Sequence, residues 1–341
     1  MPMLNIFDGD EFGVVPLTDA INEIPFVPGR VGEMGIFSDT PVATLTIALA
    51  KKGDEIVLVA PSPRGTSGQT VDKKKADLRS FIIPHFQIDD AIMADEVQGV
   101  RAWDSESEVE TVMGVVAGRM ATHNQSMEAT LEYSAIGAVK GIVTYADGST
   151  LNLFTEFGVS QEAEIDFDLD NATPVDGELR EKCAVLGRKM AENLGGLPHS
   201  GIHCFAGDNL FDNLLKHPEV RATYKGWTEA QILRDGYISP SGKSYSAFEF
   251  GGIVWENYRG KVGNTGFVDT DKAHFFPVGV PNLFRTYYGP ADYVETVNTL
   301  GQRIYMKQWL MPNNKGINIE VQSNALKICT RPKALMKGKR T

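Results

Sequence analysis

The sequence predicts an α+β protein in which an arm and a long hairpin precede one very long helix and a second, mixed lobe. Three observations carry that reading. Two apolar strand-like runs, around Leu45–Leu49 and Ser80–Ile83, flank a stretch rich in Pro, Gly and Lys. A period of three to four persists from Ser105 to Lys140. Beyond Glu178, short helical and strand patterns alternate, as in I-H-C-F-A and F-E-F-G-G-I-V-W-E. A chain of 341 residues exceeds the usual single core, so two packed lobes are expected.

The elements follow in order. Residues 1–40 mix Gly, Pro and charge without a sustained period, including V-P-G-R-V-G, and read as an extended arm. Leu45, Ile47 and Leu49 then alternate with Thr46 and Ala48, as in a half-buried strand. K-K-G-D supplies a turn before E-I-V-L-V-A, and Pro61, Pro63, Gly65 and Gly68 form a tip. The chain returns through D-K-K-K-A-D-L-R to Ser80–Ile83, where Pro84 interrupts the ladder. An isolated two-stranded hairpin is marginal in water, so this one must lie on something, and a neighbouring subunit is the candidate.

Ser105 and Glu108 form a capping box that opens the long helix. Val109, Val112, Val116, Met120, Met127, Leu131, Ser134 and Ala138 share one face, and Gly141 is a natural stop. At 1.5 Å per residue the helix would be roughly 50 Å long. Its stripe is rich in Ala, Gly and Ser, which suits a helix laid across a sheet better than a coiled-coil seam. Gly114 and Gly118 predict a close backbone approach or a bend.

Asp147-Gly148 between two alternating runs marks a hairpin. Ile165, Phe167 and Leu169 alternate with Asp166, Asp168 and Asp170 as a further strand. The second lobe opens with an amphipathic helix from Glu178 to about Leu194. Asp208 is placed to cap N-L-F-D-N-L-L-K, and S-A-F-E-F-G-G-I-V-W-E-N reads strand, turn, strand. Near residue 300 the chain should return to the first lobe, with N-I-E-V-Q and A-L-K-I-C closing its sheet.

Charge and composition narrow the function. A formal net charge of −11 argues against a nucleic-acid grip spread over the surface, which needs basic stripes. The stretch from Arg331 to Thr341 is the exception, with five basic residues and no acid. It reads as a solvated, partly disordered end, with contact to phosphates or an acidic partner as the alternative. Cys183, Cys204 and Cys329 form no metal or redox motif and suit a reducing cytosol. No signal peptide and no apolar run of membrane-spanning length is present, so a soluble, non-secreted protein is expected.

Candidate chemistry is thin. His199 and His203, beside Cys204, have helical metal-ligand spacing but enter a strand, where chelation is awkward; a metal-dependent hydrolase is the rival reading they leave. G-Y-I-S-P-S-G-K-S misses the phosphate-loop spacing by one residue and leads into a strand. D-F-D-L-D-N imitates a calcium loop, but Asn171 replaces the turn glycine and Gly177 the bidentate Glu. No nucleophile signature is found. The expectation is no catalytic residue, no metal ligand and no cofactor.

These segments resemble the lambda-type major head protein family of tailed bacteriophages, major capsid protein E. The resemblance rests on P-R-G at 63–65, F-I-I-P-H at 81–85, A-D-E-V-Q-G-V-R-A at 94–102 and the Asp147-Gly148 hairpin. It continues through F-E-F-G-G-I-V-W-E-N-Y-R-G at 248–260, F-P-V-G-V-P-N-L-F-R-T-Y-Y-G-P-A-D-Y at 276–293 and N-I-E-V-Q-S-N at 318–324. Trp103-Asp104 departs from the expected aromatic followed by Gly.

The resemblance implies a Hong Kong 97-like fold: N-terminal arm (1–40), E-loop (41–89) and peripheral domain (90–178) with a spine helix over 105–140. An axial domain (179–300) and a return to the peripheral domain with the basic tail (301–341) complete it. The implied function is a head protein that self-assembles, as hexamers and pentamers, into an icosahedral shell around double-stranded DNA. Implied partners are scaffold, portal and a decoration protein, with no membrane. The implied location is the virion, after assembly in the host cytoplasm. A tail or scaffolding component is the structural rival.

Overall fold

In the computed structural model, residues 29–51, 77–97, 112–224, 246–262 and 265–341 are described. The long helix spans Val112–Lys140 among them, and the Ser105–Glu108 cap lies outside the described residues. Gly141 stops it at φ +82°, with its N–H bonded to Ala138 O at 3.2 Å. Val116, Met120 and Met127 point into a core shared with a three-stranded antiparallel sheet. That sheet has Gly316–Ser323 at its centre, between Phe86–Met93 and Tyr305–Leu310, and offers Ile92, Ile317, Ile319, Val321 and Met306. The helix does lie across a sheet.

Gly118 is not a point of close approach: it is exposed, and a Cβ there would meet nothing within 4 Å. The close approach is at Gly137, where a Cβ would come 2.7 Å from Val143 Cα. Val143 belongs to the Asp147-Gly148 hairpin, Ile142–Thr144 against Thr150–Asn152. The second strand stops earlier than its alternation suggests. Asn152 accepts from the N–H groups of Phe154 and Thr155 and starts a short helix, Leu153–Glu156.

The first hairpin pairs Thr46–Lys51 with Asp77–Ile82; its tip lies outside the described residues. Ile47 and Phe81 face inward, and the Phe81 ring sits 5.6 Å from that of Phe157. The ladder ends before Pro84, and the chain resumes as Phe86–Met93 in the helix-bearing sheet. A boundary at 89/90 would therefore cut through a strand.

Residues 29–41 are packed on their own subunit. Arg30–Met34 is one helical turn, and Phe37–Pro41 lies parallel to Phe284–Tyr288, which pairs on its other side with Ala325–Cys329. The chain is thus already paired with residues 37–41 at Phe284, before residue 300. N-I-E-V-Q and A-L-K-I-C lie in two different sheets. Asn324 marks the crossing between them, its Nδ2 donating to Pro290 O at 2.7 Å.

The second lobe is a six-stranded sheet in the order Ile165–Asp166, Met336–Lys339, Lys272–Val278, Gly201–Ala206, Ile253–Asn257, Ser246–Phe250. Leu186 and Met190 of helix Glu178–Leu194 and Leu210 and Leu214 of helix Asp208–Lys216 share a core with Trp255 and Phe275. Three expectations are corrected here. Asp208 is the first helical residue and not its cap; its carboxylate accepts instead from Asn257 and Arg259. The 165–170 strand is only Ile165–Asp166, because Asp168 turns the chain at φ +51°, although Phe167 and Leu169 are buried as the alternation requires. The C-terminal residues are not a free tail, since Met336–Lys339 is an interior strand of this sheet.

Candidate functional site

The residues singled out for chemistry do not converge. His203 is buried on Gly201–Ala206, with Nε2 2.9 Å from Oε2 of Glu256. His199 is half-buried and precedes that strand. Cys204 is fully buried and, as His203's neighbour in a strand, points to the opposite face. Burial pushes the Cys204 thiol well above its ordinary range, and those of Cys183 and Cys329 up to about 12, which leaves three inert thiols. Asp168 accepts from Asn171 Nδ2, and Asp166 pairs with Lys339 at 2.8 Å. Among the described residues, no three His, Cys, Asp or Glu side chains are grouped to hold a metal ion. The G-Y-I-S-P-S-G-K-S segment lies outside the described residues.

The basic C-terminus is largely neutralised within its own chain. Lys337 lies 3.5 Å from Glu164, and Arg340 bonds Asp271 at 2.8 Å. With Lys339 on Asp166, these residues bind their own sheet and are not a free hand for phosphate.

What the structure does assemble is a set of buried charges where the N-terminal segment meets the long helix, the six-stranded sheet and the two three-stranded sheets. Glu256 has no exposed side-chain surface and accepts from Arg30 Nε at 2.6 Å and Nη2 at 2.8 Å, besides its bond with His203. Burial works to raise its pKa; the His203 and Arg30 contacts outweigh that and hold it below the usual carboxylate range. Glu132, on the long helix, accepts from Val31 N–H at 2.9 Å and from the Tyr258 hydroxyl at 3.0 Å, yet burial still raises its pKa. One turn earlier, Glu128 takes a two-pronged contact from Arg303, through Nε at 2.9 Å and through Nη2. Lys327 sits 5.0 Å over the Phe37 ring, and burial pulls its pKa down to about 8.

This arrangement is a brace. Arg30 ties the first helical turn to the six-stranded sheet, Glu132 ties that turn to the long helix, and Arg303 ties the long helix to the chain entering the three-stranded sheet. Sequence reasoning did not find these residues. The one available signal was Glu128 and Glu132, four apart and flanking the apolar Met127 and Leu131, hence at the margin of the buried face. Their partners are 175 and 126 residues away in the case of Arg303 and Tyr258, and no spacing rule reaches that far.

Residues 13–340 match the sequence profile described as phage major capsid protein E. The chain belongs to that family. Two curated relatives are similar along nearly their whole length. The major capsid protein of Pseudomonas phage KPP10 is 27% identical over 345 residues, covering 97% of each chain. The major capsid protein of Salmonella phage Felix O1 is 27% identical over 361 residues, covering 98% of each. Among solved structures, a protein assigned as a prophage capsid protein of E. coli CFT073 aligns with a TM-score of 0.64 at 14% identity, over 96% of this chain and 99% of its own. The capsid of Myoviridae phage XM1 aligns at TM-score 0.51 and 10% identity, over 94% and 95%.

The fold is therefore the Hong Kong 97-like capsid fold, and this major capsid protein forms the icosahedral head shell of a phage or prophage. The brace is accordingly part of a building block. No helix among the described residues is long and apolar enough to cross a membrane.

Proposed function

We propose that the subunit acts purely as a building block, without catalysis, metal or cofactor. In this reading it forms hexamers and pentamers around packaged double-stranded DNA, joined by scaffold, portal and a decoration protein, and it is assembled in the host cytoplasm. Residues 1–40 serve as the arm, and the hairpin within residues 41–89, whose ladder ends at Ile82, serves as the E-loop resting on neighbours, while Phe86–Asp89 stay in the subunit's own three-stranded sheet. The three-stranded sheet with the long helix forms the peripheral domain, and the six-stranded sheet with its helices forms the axial domain.

One observation carries this reading. Among the described residues, Thr46–Lys51 and Asp77–Ile82 pair with each other and with no third strand; Ile47, Leu49 and Phe81 pack on their own core, while Thr46, Ala48, Ser80 and Ile82 on the other face are exposed. A ladder of two strands needs more cover than that. Closed symmetry supplies it, because each copy both covers a neighbour and is covered by one. DNA is contained without being gripped: the chain is acidic, and Lys337, Lys339 and Arg340 have partners in their own sheet.

The test is to purify the full chain alone, image it by electron microscopy and compare amide exchange of the two hairpin strands in free subunits and in particles. Closed particles with slowed exchange at 46–51 and 77–82 are expected. Equal exchange in both states would show that neighbours do not cover the hairpin. Stoichiometric metal in the purified protein, or duplex DNA binding at physiological salt, would count against a purely structural role.

A further inference from the structure

Among the described residues of the first lobe, five exposed aliphatic side chains lie in one region, while Met93 and Trp309, 42% and 43% exposed, lie at the end of the three-stranded sheet away from Tyr305. Val294 is 90% exposed, Val297 63% and Leu300 64%, all on the loop between Phe284–Tyr288 and Tyr305–Leu310. Leu45 is 66% and Ile82 76% exposed at the root of the first hairpin. The backbone joins the two places. Gly301 N–H bonds Val42 O at 3.0 Å, Val42 N–H bonds Tyr288 O at 2.8 Å and Ile83 N–H bonds Leu45 O at 3.0 Å. Gly289 is packed so closely that a Cβ would lie 3.2 Å from Ile83 Cδ1 and 3.6 Å from Thr44 O.

The loop is built and held. Thr296 Oγ1 donates to Ala291 O at 2.7 Å, and Tyr293 and Ala291 pack on Tyr305. A Cβ at Gly301 would strike Tyr288 O, so the loop is pinned at its far end as well. Large aliphatic side chains held outward on a fixed loop are a surface prepared for burial.

Charge indicates what buries it. The segments 42–47, 81–84 and 294–300 contain a single charged residue, Glu295, and Lys307 Nζ neutralises it at 2.6 Å. Two copies of this chain, each carrying −11, repel one another over most of their surfaces. They can approach with least repulsion where the surface is aliphatic and its one charge is cancelled. A phosphate backbone or a strongly charged companion gains nothing at such a surface, whereas a second copy gains apolar burial.

We propose that Val294, Val297 and Leu300, together with Leu45 and Ile82 at the hairpin root, form the apolar contact by which one subunit seats against a second copy in the shell. This rests on the shell-building role set out above and adds the residues that make the contact.

The test uses the full chain with Val297→Glu and Leu300→Glu together, with Ile82→Glu separately, and with Val175→Glu as a control at an equally exposed aliphatic in the turn before Glu178–Leu194. Circular dichroism and the melting temperature establish that each subunit is folded. The expected result is at least a tenfold loss of sedimenting particles for the double variant and for Ile82→Glu, with the control near wild type. A Leu300→Cys subunit provides a readout that keeps assembly intact. The native thiols are all buried, so maleimide should label position 300 in free subunits and be excluded in particles, while Val175→Cys labels in both.

Wild-type particle yield from the double variant would overturn the proposal, as would equal labelling of position 300 in both states. An equal loss of particles in the Val175→Glu control would reduce the effect to added charge and overturn it too. Particles that form normally but lose a bound companion protein would assign the face to that companion instead. The unmodified chain is the reference: its own failure to build particles would count against the proposed function, not against this face.

Discussion

Arg30→Ala tests the brace at its strongest point. The guanidinium makes bonds of 2.6 and 2.8 Å to a Glu256 carboxylate that has no exposed surface. Its removal strands that carboxylate with His203 as its remaining side-chain partner. Losing one member of a buried pair costs about 3–5 kcal/mol. The Arg30 side chain is 25% exposed and His203 remains in place, so about 2–3 kcal/mol is the expected loss. With an unfolding entropy of about 2.1 cal/mol/K per residue, the melting temperature should fall by about 3–4 °C. Glu256→Gln keeps the shape and deletes the charge; in that background Arg30→Ala should cost less than about 1 kcal/mol, since no carboxylate is then stranded. Denaturant unfolding of the four proteins closes the cycle. Glu256 has its pKa lowered from 4.5, so its contribution is present above 4.5 and lost as pH falls through the folded value. The coupling should therefore shrink as pH falls below 4.5. A coupling under about 0.5 kcal/mol at pH 7 would refute the brace.

Gly137→Ala should destabilise the subunit by about 1–3 kcal/mol, because its new Cβ meets the Val143 backbone; Gly118→Ala, into open space, should stabilise by up to about 1 kcal/mol, and unfolding midpoints of the pair compare them directly. His274 is held neutral, its pKa lowered to about 3 by burial and then by Lys140, Lys337 and Lys272. The unfolded chain protonates it near 6.5, so stability should drop by about 1.4 kcal/mol per pH unit below 6.5, and a stability–pH profile of His274→Gln should lose that slope. Ending the chain at Leu335 removes the strand between Lys272–Phe275 and Ile165–Asp166 and uncovers Phe167 and Phe275; soluble yield should collapse, and a normal yield would show the strand to be dispensable. Met120→Pro breaks the long helix where it packs on the three-stranded sheet, costing about 3 kcal/mol or more and abolishing particles on sedimentation.

Local order determined what was legible without coordinates. The long helix, its stop at Gly141, the helix Glu178–Leu194 and the Gly251-Gly252 turn between Ser246–Phe250 and Ile253–Asn257 all follow from periods and turn residues lying within a few positions of one another. The hairpin stem could be read because Ile47 and Phe81 sit in alternating runs on either side of a turn-rich stretch. The family was legible too, since its motifs lie in order along nearly the whole chain.

Tertiary structure alone decided which strands share a sheet. Phe284–Tyr288 pairs with a segment more than 240 positions earlier, and Met336–Lys339 enters a sheet whose other strands begin at Ile165. Pairing partners are chosen by packing across the whole molecule, and a strand's own pattern says which face is apolar without saying which neighbour covers it. The same holds for charge. By composition the C-terminus is a basic tail; in space Lys337, Lys339 and Arg340 are cancelled by Glu164, Asp166 and Asp271. Glu256 and Arg30 look like two ordinary surface charges until folding removes water from around the carboxylate. A buried charge must find its counter-charge wherever the chain passes, and only the folded chain fixes where that is.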